Sequence, residues 1–520
     1  MASIDAQAEV VAFLSAPATH QGAEVERIDT HASIVFLAGS RAWKLKRAVQ
    51  YDYLDFSTPA RRKAMCEAEV RINRRTAPTL YLGVTAITRE AEGSLALGGT
   101  GQPIDWVVEM RRFDQDGLFD RLAARDALDI QLMAPLGSAL ARFHQDAEHR
   151  ADHGGQSGLA WVIDGNALGF ATAGDGILDP AICASLTRAA RATLERVGGL
   201  LDDRRSQGFV RQCHGDLHLR NIVLIGGQPT LFDAIEFNDE IACTDVLYDL
   251  AFLLMDLWRR RLSRHANVVL NAYLADTNDL AGLALMPLFL SCRAAVRAKT
   301  SASAAKLQAD PPKRAALEQL ATDYLTMAGQ LLRPAGPCVI AIGGPSGSGK
   351  STLARSLAPT IGAVPGAVVI RSDEVRKRLC GIDPLVHLGP EGYTAEVSAR
   401  VYATLVERAT VVVRGGHSAI VDAVFTKHAD REAIQQAAAA SGVPFVGLWL
   451  DAPESVLVAR AARRGPDASD ATAEVIRKQL DDEVGPMQWQ RLDASTGHQR
   501  VRQQATALLR TVVASPLLAP

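Results

Sequence analysis

Gly344-Pro345-Ser346-Gly347-Ser348-Gly349-Lys350-Ser351 satisfies the spacing Gly-x-x-x-x-Gly-Lys-Ser/Thr, and that spacing serves a chemical purpose. Its glycines let backbone N–H groups turn toward phosphate oxygens, Lys350 reaches the β and γ phosphates, and Ser351 is placed to ligate Mg²⁺. The loop follows the apolar run 338–342 and leads through Thr352 into a helical pattern, so it has the strand-loop-helix context this chemistry requires. A second signature lies upstream, His214-Gly215-Asp216-Leu217-His218-Leu219-Arg220-Asn221, with Phe232-Asp233-Ala234-Ile235-Glu236-Phe237 after it. Either stretch alone points to ATP chemistry. Together, on segments each long enough to fold by itself, they point to a fusion of two phosphoryl-transfer modules.

A chain of 520 residues is too long for one hydrophobic core, and two or three compact units are expected. The formal net charge of −2 gives no global attraction to nucleic acid or an anionic membrane, and no basic stripe interleaved with aromatics is present. Polynucleotide partners are therefore disfavoured. Seven cysteines show neither a Cys-x-x-Cys pair nor metal-ligand spacing, which fits reduced thiols. The N-terminal segment carries Asp5 and Glu9 and lacks the basic start and apolar core of a secretory signal. The most apolar stretches, such as 280–292, fall short of the roughly 20 residues of a membrane span. A cytoplasmic protein with no membrane segment is the expectation.

The elements that must position these motifs can be read from periodicity. Residues 34–37 and 42–45 flank a turn-rich interval and suggest a hairpin; a helix is expected over 59–74 and a further strand over 104–110. Arg111-Arg112-Phe113-Asp114 then reads as a hinge. From about 117 to 300 the pattern is mainly helical, interrupted by strands at 209–213, 222–225 and 230–232, the last two joined by Gly226-Gly227. Arg333-Pro334-Ala335-Gly336-Pro337 breaks the preceding helix, and the main boundary is placed there, giving regions 1–334 and 335–520. Beyond it, strands at 338–342, 368–370, 418–421 and 445–450 alternate with helices, the pattern of a doubly wound parallel α/β domain.

Residues 338–510 resemble the gluconate-kinase, zeta-toxin and polynucleotide-kinase group of small P-loop kinases. Ile370-Arg371-Ser372-Asp373-Glu374-Val375-Arg376 matches that group's segment after the second strand. The resemblance implies Asp373 as general base or substrate-hydroxyl ligand and Arg376 as an anion contact; Asp373 could equally cap the next helix. Ile420-Val421-Asp422 resembles the group's Walker B strand, which makes Asp422 the candidate for holding the metal's water shell. Arg460-Ala461-Ala462-Arg463-Arg464 looks like the group's lid, with Arg460 and Arg464 on one helical face and favoured over Arg463.

The segment from His214 to Asn221 and the acidic hairpin after it resemble the catalytic and metal-binding loops of the aminoglycoside phosphotransferase superfamily, which shares the protein-kinase fold. The resemblance implies a bilobal region with an N-lobe at about 24–110 and a C-lobe at 111–334. Asp216 would accept or orient the substrate hydroxyl proton, while Asn221 and Asp233 would hold Mg²⁺. His214 would brace the loop, and Asp245 and Asp249 would support it from the following helix. The fold needs a lysine on an N-lobe strand paired with a helix glutamate. Only ten of the 56 basic residues are lysines, yet two lie in Trp43-Lys44-Leu45-Lys46, and Glu67 and Glu69 follow. Lys44 with Glu69 is the preferred pair and Lys46 the alternative.

No Gly-x-Gly-x-x-Gly loop precedes this lysine, only Leu37-Ala38-Gly39-Ser40, and Glu236 is left as a possible second acidic contributor. Over its whole length the chain resembles bacterial fusions of an aminoglycoside phosphotransferase domain with a P-loop kinase domain. The resemblance implies a Mg-ATP-dependent kinase with two modules that phosphorylate small-molecule hydroxyls. The alternatives are one active kinase with a nucleotide-binding regulator, or a polynucleotide or protein kinase.

Overall fold

The computed structural model describes residues 2–51, 53–383, 385–463 and 467–512. It divides into two compact units, one of Met1–Val162 with Gly198–Asp256 and one of Ile163–Val197 with Leu257–Pro520.

The first unit is built on a six-stranded antiparallel sheet in the order Val25–Asp29, Ser33–Ala38, Arg41–Lys46, Gln102–Arg111, Tyr81–Arg89, Leu95–Leu97. Side-chain alternation along Arg41–Lys46 sorts its residues between two cores. Trp43 and Leu45 join Val10, Leu14, Phe36 and Val107 on one face. Ala42 joins Leu37, Cys66, Val70 and Val108 on the other, against the helix Pro59–Asn73. The same period puts Lys44 and Lys46 on the helix side. That helix starts where Thr58 accepts the Arg61 N–H and Pro59 takes the first turn, where its missing N–H costs nothing. Farther along, Val210–Gln212 pairs with Cys243–Asp245, and the hairpin Ile222–Ile225/Gln228–Leu231 turns through Gly226 and Gly227, both at positive φ.

The second unit carries a parallel five-stranded sheet whose spatial order is Val368–Arg371, Ala419–Asp422, Val339–Gly343, Phe445–Asp451, Gln490–Asp493. Counted along the chain this is 2-3-1-4-5. The first connection runs one way across the sheet and the later ones return, so right-handed crossovers put helices on both faces. The central strand Val339–Gly343 is buried at every position, as its apolar run requires. The fold class is thus an α+β part joined to a doubly wound parallel α/β domain.

The expected strands and hairpins occur within a residue or two, but Val25–Asp29, Tyr81–Arg89 and Gln490–Asp493 are additions. One expectation needs correction. The turn Ala281–Leu285 runs directly into the helix Met286–Leu307, so Ala281–Leu307 is long and apolar enough to cross a membrane by length and composition. Its most apolar window is 72% buried inside the protein, which is the signature of a core helix.

Candidate phosphotransfer sites

In the first unit, Glu69 sits at 0% exposure on its helix and receives both lysines of the neighbouring strand. Lys44 Nζ donates to Glu69 Oε1 at 2.8 Å and Lys46 Nζ to Oε2 at 2.7 Å. Lys44 also reaches Asp233 Oδ1 at 2.5 Å, and Lys46 pairs with Glu236. The Lys46 side chain is 1% exposed against 15% for Lys44, so Lys44 is the lysine open to an incoming ligand. Burial opposes charge on both lysines, yet Asp233 and Glu69 hold Lys44, and Glu236 and Glu69 hold Lys46, above the ordinary lysine value. Burial works against the Glu69 carboxylate too, but the two ammonium groups draw its pKa down to about 2. Glu236 moves the other way, pushed up chiefly by burial.

Asp233 adopts a φ of 62°, an unusual conformation for a non-glycine residue, and it is fixed there by its neighbours. Its N–H donates to the Tyr81 hydroxyl at 3.0 Å, and the Ala234 N–H donates to Asn73 Oδ1 at 2.8 Å. Asn221 Nδ2 donates to both the carbonyl and the carboxylate of Asp216, at 2.9 and 3.0 Å, and His218 Nε2 lies 3.3 Å from Asp216 Oδ2. Asp249 accepts the N–H groups of His214 and Gly215 at 3.1 and 2.8 Å, and Asp256 accepts that of Leu219. Burial lowers the pKa of His214, which bonds through Nε2 to the Phe232 carbonyl at 2.9 Å, tying the Asp216 loop to the Asp233 segment. Asp245 does not support the loop: it forms a two-pronged pair with Arg204 at 2.7 and 2.9 Å.

The loop Gly344–Ser351 of the second unit is shaped by close backbone approach. Gly344 and Gly347 have φ of 130° and 81°, and a Cβ on either would lie 2.4 Å from the Leu450 carbonyl or 2.5 Å from that of Leu457. Lys350 opens the helix Lys350–Leu357 and donates to the Pro345 carbonyl at 3.0 Å. Ser351 Oγ donates at 2.5 Å to Asp422 Oδ2, at the end of the buried strand Ala419–Asp422. A cavity of about 390 Å³ collects Lys350, Ser351, Thr352, Asp373, Asp422 and Arg460, with Ser346, Gly347 and Gly349 along its wall. Asp373 occupies the second position of the helix Ser372–Leu379, so it is not the cap. Burial raises its pKa, with Arg371 opposing and Asp422 adding to the rise.

Several residues stand where the sequence reading did not put them. Arg376 donates to the Gly392 carbonyl at 2.7 Å and to Ser398 Oγ at 3.2 Å and lies over the Tyr393 ring, so its guanidinium is already engaged by protein. Arg460 lines the cavity while donating to the Ala494 carbonyl at 2.9 Å. Arg464 lies outside the described residues. The residue with no expected role is Arg371. Although buried, it pairs with Asp467 at 2.7 Å, Glu374 at 2.8 Å and Asp422 at 3.5 Å. Its signal was an arginine in the last position of a strand whose interior is apolar, with Asp467 nearly a hundred residues away. Gln479 was also missed; its Oε1 accepts the Ser346 N–H at 2.8 Å.

The fold and these two constellations define a kinase-type phosphotransferase. Residues 339–484 match the AAA_33 family model, described as an AAA domain. "Uncharacterized protein Rv2004c" of Mycobacterium tuberculosis (strain ATCC 25618 / H37Rv) is 31% identical over 501 residues, which cover 93% of this chain and 95% of that protein. The chain belongs to the family of that protein. An adenylyl-sulfate kinase of Myxococcus xanthus (strain DK1622) is 30% identical over 118 residues, 22% of this chain and 59% of the relative. Among solved structures, a choline/ethanolamine kinase family protein from Mesorhizobium loti covers 63% of this chain and 99% of its own, at 14% identity and a TM-score of 0.36.

Proposed function

We propose that the chain is a Mg-ATP-dependent enzyme with two phosphotransfer modules, 1–334 and 335–520, each moving a γ-phosphate to a small-molecule hydroxyl. The observation that carries this reading is that each module gathers a lysine with the carboxylates it would work beside. Lys44, Glu69 and Asp233 meet in one, where Asn221 bonds to Asp216 and the Asn221 carbonyl accepts the N–H of Phe232, the residue before Asp233; Lys350, Ser351, Asp422 and Asp373 share one cavity in the other. In the first module Asp216 accepts or orients the acceptor's proton, and Lys44 neutralises phosphate oxygens while Glu69 fixes its position. In the second, Asp373 takes the acceptor's proton. The loop amides and Lys350 cradle the β and γ phosphates, and Arg460 adds positive charge from the facing wall.

The donor sets fit Mg²⁺, a hard cation that prefers oxygen ligands. Asn221 and the half-exposed Asp233 would hold it in one module, and Ser351 with Asp422 in the other. When bound, it supplies charge neutralisation on the transferring phosphoryl group. Raised toward the neutral form by burial, Asp373 suits a base better than an ordinary surface aspartate would.

The test is mass spectrometry of a metabolite extract after incubation with Mg-ATP and the wild type, Asp216→Ala or Lys350→Ala. Distinct features that gain one phosphate, each lost with a different variant, are expected. Loss of every product with either variant alone, while the other site still binds nucleotide, would mean one coupled reaction and overturn the two-module reading.

A further inference from the structure

We infer that the helix Ser263–Thr277, which lies outside the matched residues 339–484, is a working part of the P-loop site: Asn267 and Asn271 complete its edge strand and thereby position Arg371 and Asp373. Val368–Arg371 lies at the edge of the five-stranded sheet and, among the described strands, pairs only with Ala419–Asp422. Its Val368 N–H points inward, to the Ser418 carbonyl at 2.9 Å. By strand alternation the Ala367 carbonyl and the Val369 N–H face outward, where an edge strand has no partner.

The helix supplies that partner with side chains. Asn271 Oδ1 accepts the Val369 N–H at 2.7 Å, and the Asn271 and Asn267 amides donate to the Ala367 carbonyl at 3.2 and 3.0 Å. Asn267 also donates to the Pro365 carbonyl at 3.3 Å, and Asn271 Nδ2 contacts Asn267 Oδ1 at 3.2 Å, so the two amides orient each other. Their i, i+4 spacing sets both on one helical face. Between them they offer the donor and acceptor that a sixth strand's peptide groups would have offered.

Two further observations mark the contact as built. Asparagine is a poor residue for a helix interior, yet Asn267 is 3% exposed there, so its place is set by its partners rather than by propensity. Gly366, at a φ of 114°, lets the chain come so close that a Cβ would sit 2.9 Å from Asn267 Nδ2. The strand runs without a break into Arg371, whose guanidinium meets Asp422 and Asp467, and into Asp373 in the cavity. A sideways slip of this strand moves Asp373 relative to Ser351 and Lys350, and transfer is sensitive to displacements of about 1 Å.

The test has two arms in the full-length chain, and only the kinetic arm rests on the function proposed above. In the first, amide hydrogen exchange is followed at Val369 in Asn271→Ala and Asn271→Asp. Exchange about tenfold faster in the alanine variant is expected, with Val339–Gly343 unchanged; the aspartate variant keeps the acceptor for the Val369 N–H but sets a second oxygen against the Ala367 carbonyl, so its exchange should fall between wild type and the alanine variant. Unchanged exchange at Val369 in Asn271→Ala overturns the inference. In the second arm, the Lys350-dependent product formed from metabolite extract and Mg-ATP is timed at saturating and limiting ATP. A fall in kcat of about tenfold with the KM for ATP held within about twofold is expected for Asn271→Ala, with partial recovery in Asn271→Asp. Faster exchange without any loss of kcat would reduce the asparagines to a structural seam and also overturn it. If the wild type forms no Lys350-dependent product, the proposed function of this module fails, and the exchange arm still decides whether the edge strand is held as inferred.

Discussion

Lys44 and Lys350 are held in opposite ways. Lys44 stands among carboxylates, touching Glu69 and Asp233 while Lys46 ties Glu69 to Glu236. Lys350 stands in a sleeve of backbone, with the Pro345 carbonyl beside its ammonium group and glycines folded against the Leu450 and Leu457 carbonyls. The first site is set by side-chain charge, so pH and charge substitutions should break it. The second is set by backbone shape, so a single added methyl group should break it. The contrast teaches that a lysine ammonium group can be fixed in place by two unrelated kinds of order.

The largest expected effects separate the two sites. Lys44→Ala and Lys350→Ala should each lower the rate of their own module by about 10³-fold or more and leave the other module's rate within about twofold, measured as product-specific initial rates. A shared loss would erase the distinction. Next comes shape: Gly347→Ala places a Cβ 2.5 Å from the Leu457 carbonyl at a φ that disfavours side chains. It should abolish Mg-ATP binding by the P-loop while Lys44-dependent turnover persists, and Gly39→Ala in the first unit, at a φ of 54° but with its nearest neighbour at 3.9 Å, adds backbone strain without a clash and should cost less.

Charge should matter more on the other side. Glu69→Gln leaves two buried lysines short of a counter-charge and should cost about 3–5 kcal/mol in denaturant unfolding. The pH dependence has a definite sign. The folded carboxyl lies near 2 and its ordinary value is 4.5, so its stabilisation is fully present above about pH 4.5 and drains away as pH falls toward 2. Glu69→Gln should flatten that acid limb. A displacement of opposite sign is expected for Asp373, whose pKa is raised: in an Asp216→Ala background, P-loop transfer should rise with pH along a limb above the usual aspartate value. A limb at the ordinary value would show that Asp373 is not the group titrating.

Local chemistry was legible in the sequence where one short segment carries it. Asp216 and Asn221 lie in one short segment and bond to each other, and Lys44 meets Glu69, the pair that the resemblance preferred. What the sequence could not disclose depends on distant partners. Arg371 finds Asp467 96 positions away, and Asn267 and Asn271 find the Ala367–Val369 backbone across similar separations. Nothing in the neighbouring residues marks these contacts, because they arise from the way elements pack rather than from local periodicity. Asp245 shows the converse: the resemblance gave it a task shared with Asp249, yet Arg204 claims it.

The most direct test of two separate sites is the stoichiometry of a non-hydrolysable ATP analogue with Mg²⁺, measured calorimetrically for the wild type, Lys44→Ala, Lys350→Ala and the double variant. Two sites per chain in the wild type, one in each single variant and none in the double variant are predicted. One site in the wild type, lost equally with either lysine, would contradict the account.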